Sequence, residues 1–139
     1  MRRVNIEMPW TTLIGEVASQ SNLTINLPLT RWRPAANILK ARAWGEVRNF
    51  TLAGATSMTG RMYLEFVNAE TESPSVVLLG PTWTTNGWQG PGSGGYTDVS
   101  STAAQYLLAR AGWQLTLTLA SGTARPFLLA MGNLEIQLQ

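Results

Sequence analysis

Trp113-Gln-Leu-Thr-Leu-Thr-Leu-Ala120 is the stretch that decides the fold. Trp113, Leu115, Leu117 and Leu119 alternate with Gln114, Thr116 and Thr118, so one face of an extended chain is apolar and the other polar. A helix would scatter these residues around its circumference, whereas a strand with one buried and one wet face needs this period of two. The same alternation appears in Leu134, Ile136 and Leu138 against Glu135, Gln137 and Gln139, and in Met62, Leu64 and Phe66 against Tyr63 and Glu65. Near the start, Val4, Ile6 and Met8 alternate with Arg3, Asn5 and Glu7. Shorter strand signals lie at residues 23–27, 38–47, 75–79 and 126–131, with turn signals at Ala53-Gly54, Ser73-Pro74, Ser121-Gly122 and Gly132-Asn133. The expectation is an all-β chain: a two-sheet antiparallel β-sandwich of jelly-roll type, in a single domain over residues 1–139, with residues 1–20 forming an N-terminal arm or an edge strand. One short helix near residues 102–111 competes with a strand there. Thr102 and Gln105 have capping-box spacing, the Ala-rich run favours helix, and Gly112 stands where a C-terminal cap would.

The inventory of side chains argues against catalysis. Histidine and cysteine are absent, Lys40 is the one lysine and Asp98 the one aspartate. A Ser-His-Asp or Cys-His constellation cannot be built, nor a zinc site of the usual nitrogen and sulfur type. Glu70 and Glu72 have a spacing that suits paired carboxylates on a strand, but they lie in a polar turn where both would be solvated. The expectation is a non-enzyme without catalytic residue, metal or cofactor.

Charged residues make up only 13% of the chain, and the net charge is +2. A surface of neutral polar groups suits close contact with another protein or a neutral ligand, and the small excess of arginine is no nucleic-acid footprint. No stretch approaches the length of a membrane span, and the residues after Met1 form no apolar signal core.

Two stretches carry candidate binding residues. Gly80 to Tyr96 reads GPTWTTNGWQGPGSGGY, a glycine-rich segment holding Trp83, Trp88 and Tyr96 with the amides Asn86 and Gln89. Aromatic rings on such a loop stack on sugars, anchor a protein interface, or fold back over the sandwich. The second stretch is Arg31-Trp32-Arg33-Pro34, whose arginines would share one face of an extended chain. They fit ion pairs with carboxylates of this subunit or a neighbour better than contact with nucleic acid.

The closing stretches Trp113-Gln-Leu-Thr-Leu-Thr-Leu and Phe127-Leu-Leu-Ala-Met-Gly-Asn-Leu-Glu-Ile-Gln-Leu carry a resemblance. In pattern, residues 38–139 resemble jelly-roll sandwiches of two kinds: the decoration or cement proteins of tailed-phage capsids, and carbohydrate-binding modules. The first resemblance implies a virion structural protein assembled in the host cytoplasm, which binds the major capsid protein or other virion proteins, staples capsomers, and is a homotrimer. The second implies a lectin-like or receptor-binding module that takes a glycan.

Overall fold

The computed structural model describes residues 2–14, 17–18, 22–32, 38–51, 54–68, 70–84, 86–100, 106–119, 123–125 and 127–138. Among the described residues eleven strands are formed: β1 (Arg2–Ile14), β2 (Val17–Ala18), β3 (Asn22–Trp32), β4 (Ile38–Thr51), β5 (Ala55–Asn68), β6 (Pro74–Trp83), β7 (Gly87–Gln89), β8 (Thr97–Asp98), β9 (Tyr106–Leu119), β10 (Thr123–Ala124) and β11 (Phe127–Leu138). No helix among the described residues is long and apolar enough to cross a membrane.

The strands form two main antiparallel sheets. The first has the order β1-β11-β4-β7, with β8 also paired to β4, and the second has the order β3-β9-β5-β6. A short ribbon of β2 and β10 stands apart. The order encodes a simple object. β1 pairs with β11, β3 with β9, β4 with β7 and β8, and β5 with β6, so the first half of the chain runs against the second as one long nested ribbon. Rolling that ribbon up brings β11 beside β4 and β9 beside β5. This is a jelly roll, a double-sheet solution that leaves few exposed edges.

The alternating residues do what their period requires. Leu115 and Leu117 on β9, Leu64 and Phe66 on β5, and Leu134 and Ile136 on β11 all point between the sheets. Their burial is the main driving force for holding the sheets together. Trp113 lies at the centre and meets Trp83 edge-to-face, with ring centroids 4.7 Å apart and planes at 71°. That geometry sets the positive edge of one ring against the negative face of the other. Neither indole N–H has a hydrogen-bond partner.

Two expectations are corrected. Residues 106–111 belong to β9, because Leu108 and Ala111 bury in the core and cross-strand packing outweighs helix propensity; Thr102 to Gln105 lie outside the described residues. Gly132-Asn133 is no turn but the middle of β11, where Gly132 faces Gly45 across the ladder. A Cβ on Gly132 would fall 2.7 Å from Met62 Sδ and 3.2 Å from Trp113 Cζ2, so the glycine makes room for the core rather than bending the chain. Of the two alternatives for the N-terminal stretch, the structure has the edge strand: β1 is the outer described strand of the first sheet, paired to β11 through most of its length.

Candidate functional site

The outward face of the first sheet collects the exposed aromatic and charged groups. Along β4, Ala41, Ala43, Gly45 and Val47 turn into the core, which leaves Arg42, Trp44, Glu46 and Arg48 on the outer side in steps of two. Register then fixes their neighbours. Glu135 stands across from Arg42, Asn133 across from Trp44, and Trp88 on β7 across from Glu46.

Arg42 organises one end of this face. Its guanidinium carbon lies 4.7 Å from the Tyr96 ring centroid and 5.6 Å from that of Trp44, within cation–π range of both. Its Nη2 donates to Glu135 Oε2 at 3.3 Å, and its Nη1 donates to the Pro91 carbonyl at 3.1 Å. The Tyr96 hydroxyl donates to the other carboxylate oxygen, Glu135 Oε1. Glu135 is only 6% exposed although it sits on the outer side of the sheet. Burial alone would raise its pKa, but the hydrogen bonds from Tyr96 and Arg42 and the charges of Arg42 and Arg3 outweigh it, and the net shift is downward. The carboxylate stays ionised beneath its covering.

That covering is the glycine-rich segment, residues 90–96, folded back onto the sandwich. A Cβ on Gly94 would collide with the Gly80 carbonyl carbon and the Pro81 nitrogen, so only glycine lets the segment cross β6 at this distance. Pro91 and Tyr96 tie it to the first sheet through Arg42 and Glu135.

The other end of the face is built around Arg48. Its Nε donates to Glu46 Oε1 at 2.7 Å, and its guanidinium carbon lies 5.5 Å from the Trp10 ring. Trp10 reaches this face because the β1–β11 register shifts between Met8 and Thr11. At that bulge an open cleft of about 450 Å³ is lined by Glu7, Met8, Pro9, Met131, Gly132 and Asn133. Trp10 is 47% exposed, Trp88 54% and Tyr96 38%. The three rings with Trp44 make an aromatic ledge laced by two arginines.

The candidate residues from the sequence therefore separate. Trp88 and Tyr96 come together on the ledge, with Gln89 half-buried on β7 and Asn86 exposed at its start. Trp83 does not join them. It is 1% exposed at the inward end of β6, opposite Gly60, and its reading as a surface anchor is corrected by that burial. The backbone of Arg31 and Trp32 closes β3, with Trp32 paired to Leu108; their side chains, and the whole of Arg33, lie outside the described residues. Glu70 and Glu72 stand exposed in the turn before β6. Sequence reading missed Trp10, Arg42, Trp44, Arg48 and Glu135 as a group. The alternation of small and large residues from Ala41 to Arg48 carried the signal for the β4 members. Among the described residues no three His, Cys, Asp or Glu side chains come together as a metal ion requires.

No family model matches the chain, and no curated protein matches its sequence. Among solved structures it is similar to a chain in the structure of infectious bursal disease virus, Gx strain. It shares its fold with that viral chain. The TM-score is 0.55 over 97% of this chain at 9% sequence identity, and the match spans 31% of the viral chain. At that identity the likeness is one of architecture. Jelly rolls serve viral capsids and lectins alike.

Proposed function

We propose that this protein is a non-enzymatic structural component of a virus particle, a decoration or cement subunit that binds the outer surface of a capsid and bridges neighbouring subunits through the ledge of its first sheet. The observation that carries this reading is the likeness of the fold, over 97% of this chain, to 31% of a chain of a virus structure. The ledge suits the task. Trp10, Trp88 and Tyr96 offer rigid rings that lose little conformational entropy on contact, and Arg42 and Arg48 already have their charges partnered. Mechanically, such a subunit resists expansion of a shell by burying aromatic anchors across the junction between capsomers.

Quantitative mass spectrometry across a density gradient of the native source lysate tests the reading. Co-migration with a dense, nucleic-acid-containing particle at many copies per particle supports it. Recovery in the soluble fraction alone overturns it.

A carbohydrate-binding reading has one observation in its favour: the Trp88 ring is more than half exposed and is flanked in sequence by Gln89 and Asn86, whose amides can bond hydroxyls. Binding on a glycan array that is lost in Trp88→Ala, with no particle association, would select it.

A further inference from the structure

β1 is the outermost strand of the first sheet among the described strands, so one row of its backbone N–H and C=O groups faces away from β11. From Arg2 to Met8 it is regular, in continuous register with Leu138 back to Gly132; beyond lie Pro9 and the bulge. The free edge available to another strand is therefore this seven-residue segment.

Its sequence is complementary to itself. In an antiparallel pair related by a twofold axis, residue i faces residue j with i + j constant, and the sum must be even for each residue to meet one on its own face of the sheet. Centring the axis on Asn5 sets Arg3 across from Glu7 and Glu7 across from Arg3 on the outer face. On the inner face it sets Val4 across from Ile6, two apolar residues that pack against the core yet remain half-exposed at the sandwich edge. All seven residues then find partners. Centring on Val4 would put Arg3 against Asn5, and centring on Ile6 would put Asn5 against Glu7; neither makes an ion pair. Arg3 and Glu7 are both exposed and form no ion pair with a described residue. Opposite charges directly across a ladder favour the pairing that brings them together, and like charges oppose it.

We infer that the free edge of β1 is the docking site for a second copy of this chain, which joins the two first sheets into one continuous sheet through antiparallel pairing centred on Asn5. The contact is twofold, in place of the threefold assembly implied by the resemblance to cement proteins. It lies on the edge of the sheet and not on the ledge rings, and it stands or falls separately from the virion reading.

A charge swap tests it on the purified full chain, with self-association followed by sedimentation equilibrium and native mass spectrometry. The expected result is a dimer whose dissociation constant rises tenfold or more in Glu7→Arg and likewise in Arg3→Glu, since each places like charges across the axis. The double variant Arg3→Glu/Glu7→Arg restores dimerisation to within about threefold of the parent. Both sites are exposed, and cooperative thermal melts, matching the parent in Glu7→Arg and lowered only slightly in the two variants that lose the Arg3 charge near Glu135, confirm that folding is intact. A monomer at the highest soluble concentration, a trimer, or a dimer indifferent to the single reversals would each overturn the inference.

Discussion

Glu135 shows how a single residue ties sequence to surface. A carboxylate placed almost out of contact with water is costly unless its oxygens are bonded, and here each oxygen has its own donor, the Tyr96 hydroxyl and the Arg42 guanidinium. Because the folded protein holds its pKa below the ordinary value of 4.5, the stabilisation is fully present above that value and is lost as pH falls through the lowered one. Thermal melts taken from neutral pH down through the carboxylate range should therefore show an acid-induced loss that is shallower in Glu135→Gln, which starts lower at neutral pH. Arg42→Ala removes a charged hydrogen-bond donor and should cost about 1–3 kcal/mol in denaturant unfolding. At the centre of the core the expectation differs in kind. Trp83→Ala leaves a large cavity beside Trp113 and should cost about 3–5 kcal/mol, while the ledge above loses nothing but the general stability of the fold.

At the scale of elements, the strands were legible where period and packing agree. Residues 113–119 and 4–8 alternate in sequence and in burial, whereas 134–138 alternate in sequence yet are buried on both faces, and in 62–66 only Glu65 is not buried. Residues 106–111 were ambiguous because alanine and leucine satisfy both a helix and a buried strand, and only the neighbours β3 and β5 decide between them. Trp83 and Trp88 could not be told apart by type or by their flanking Gly and Thr residues. What separates them is phase: Trp83 lies four residues beyond the inward Leu79 on β6 and so faces inward opposite Gly60, while β7 pairs with Trp88 opposite the outward Glu46. Nothing local announces that Arg42 and Glu135, far apart in the chain, share a ladder rung. In the glycine-rich segment the absence of a Cβ at Gly94 serves a close crossing of β6. Gly94→Ala should release that crossing, and hydrogen exchange of amides 90–96 should then accelerate while those of β9 keep their protection.

For the whole molecule, the ledge and the sandwich make separable demands. Trp10→Ala and Trp88→Ala remove rings that face outward, so each should leave the melting temperature nearly unchanged. If the particle reading holds, each should weaken capsid binding by about tenfold or more, the loss typical of an interface anchor. Co-sedimentation with capsids lacking the protein would measure this directly. The second sheet offers the contrast. On its outer side Tyr63 lies buried over the position of Gly112, its phenol pKa raised by burial and then by the charge of Glu65, and Glu65 is itself 3.5 Å from Arg110 across the ladder.

The nested ribbon also sets a timetable. Arg2 pairs with Leu138 and Ile14 with Phe127, so β1 is made long before β11 and has to wait for it before it can close its ladder. β4 waits as well, since β11 fills the place between them. A nascent chain short of residue 127 carries two long strands with open sides and an uncovered half of the core, and contacts this distant in sequence form slowly. Folding is thereby deferred until β11 has been made, and chains stalled before it should be captured by chaperones or precipitate, whereas emergence of residues 127–138 lets both ladders close together.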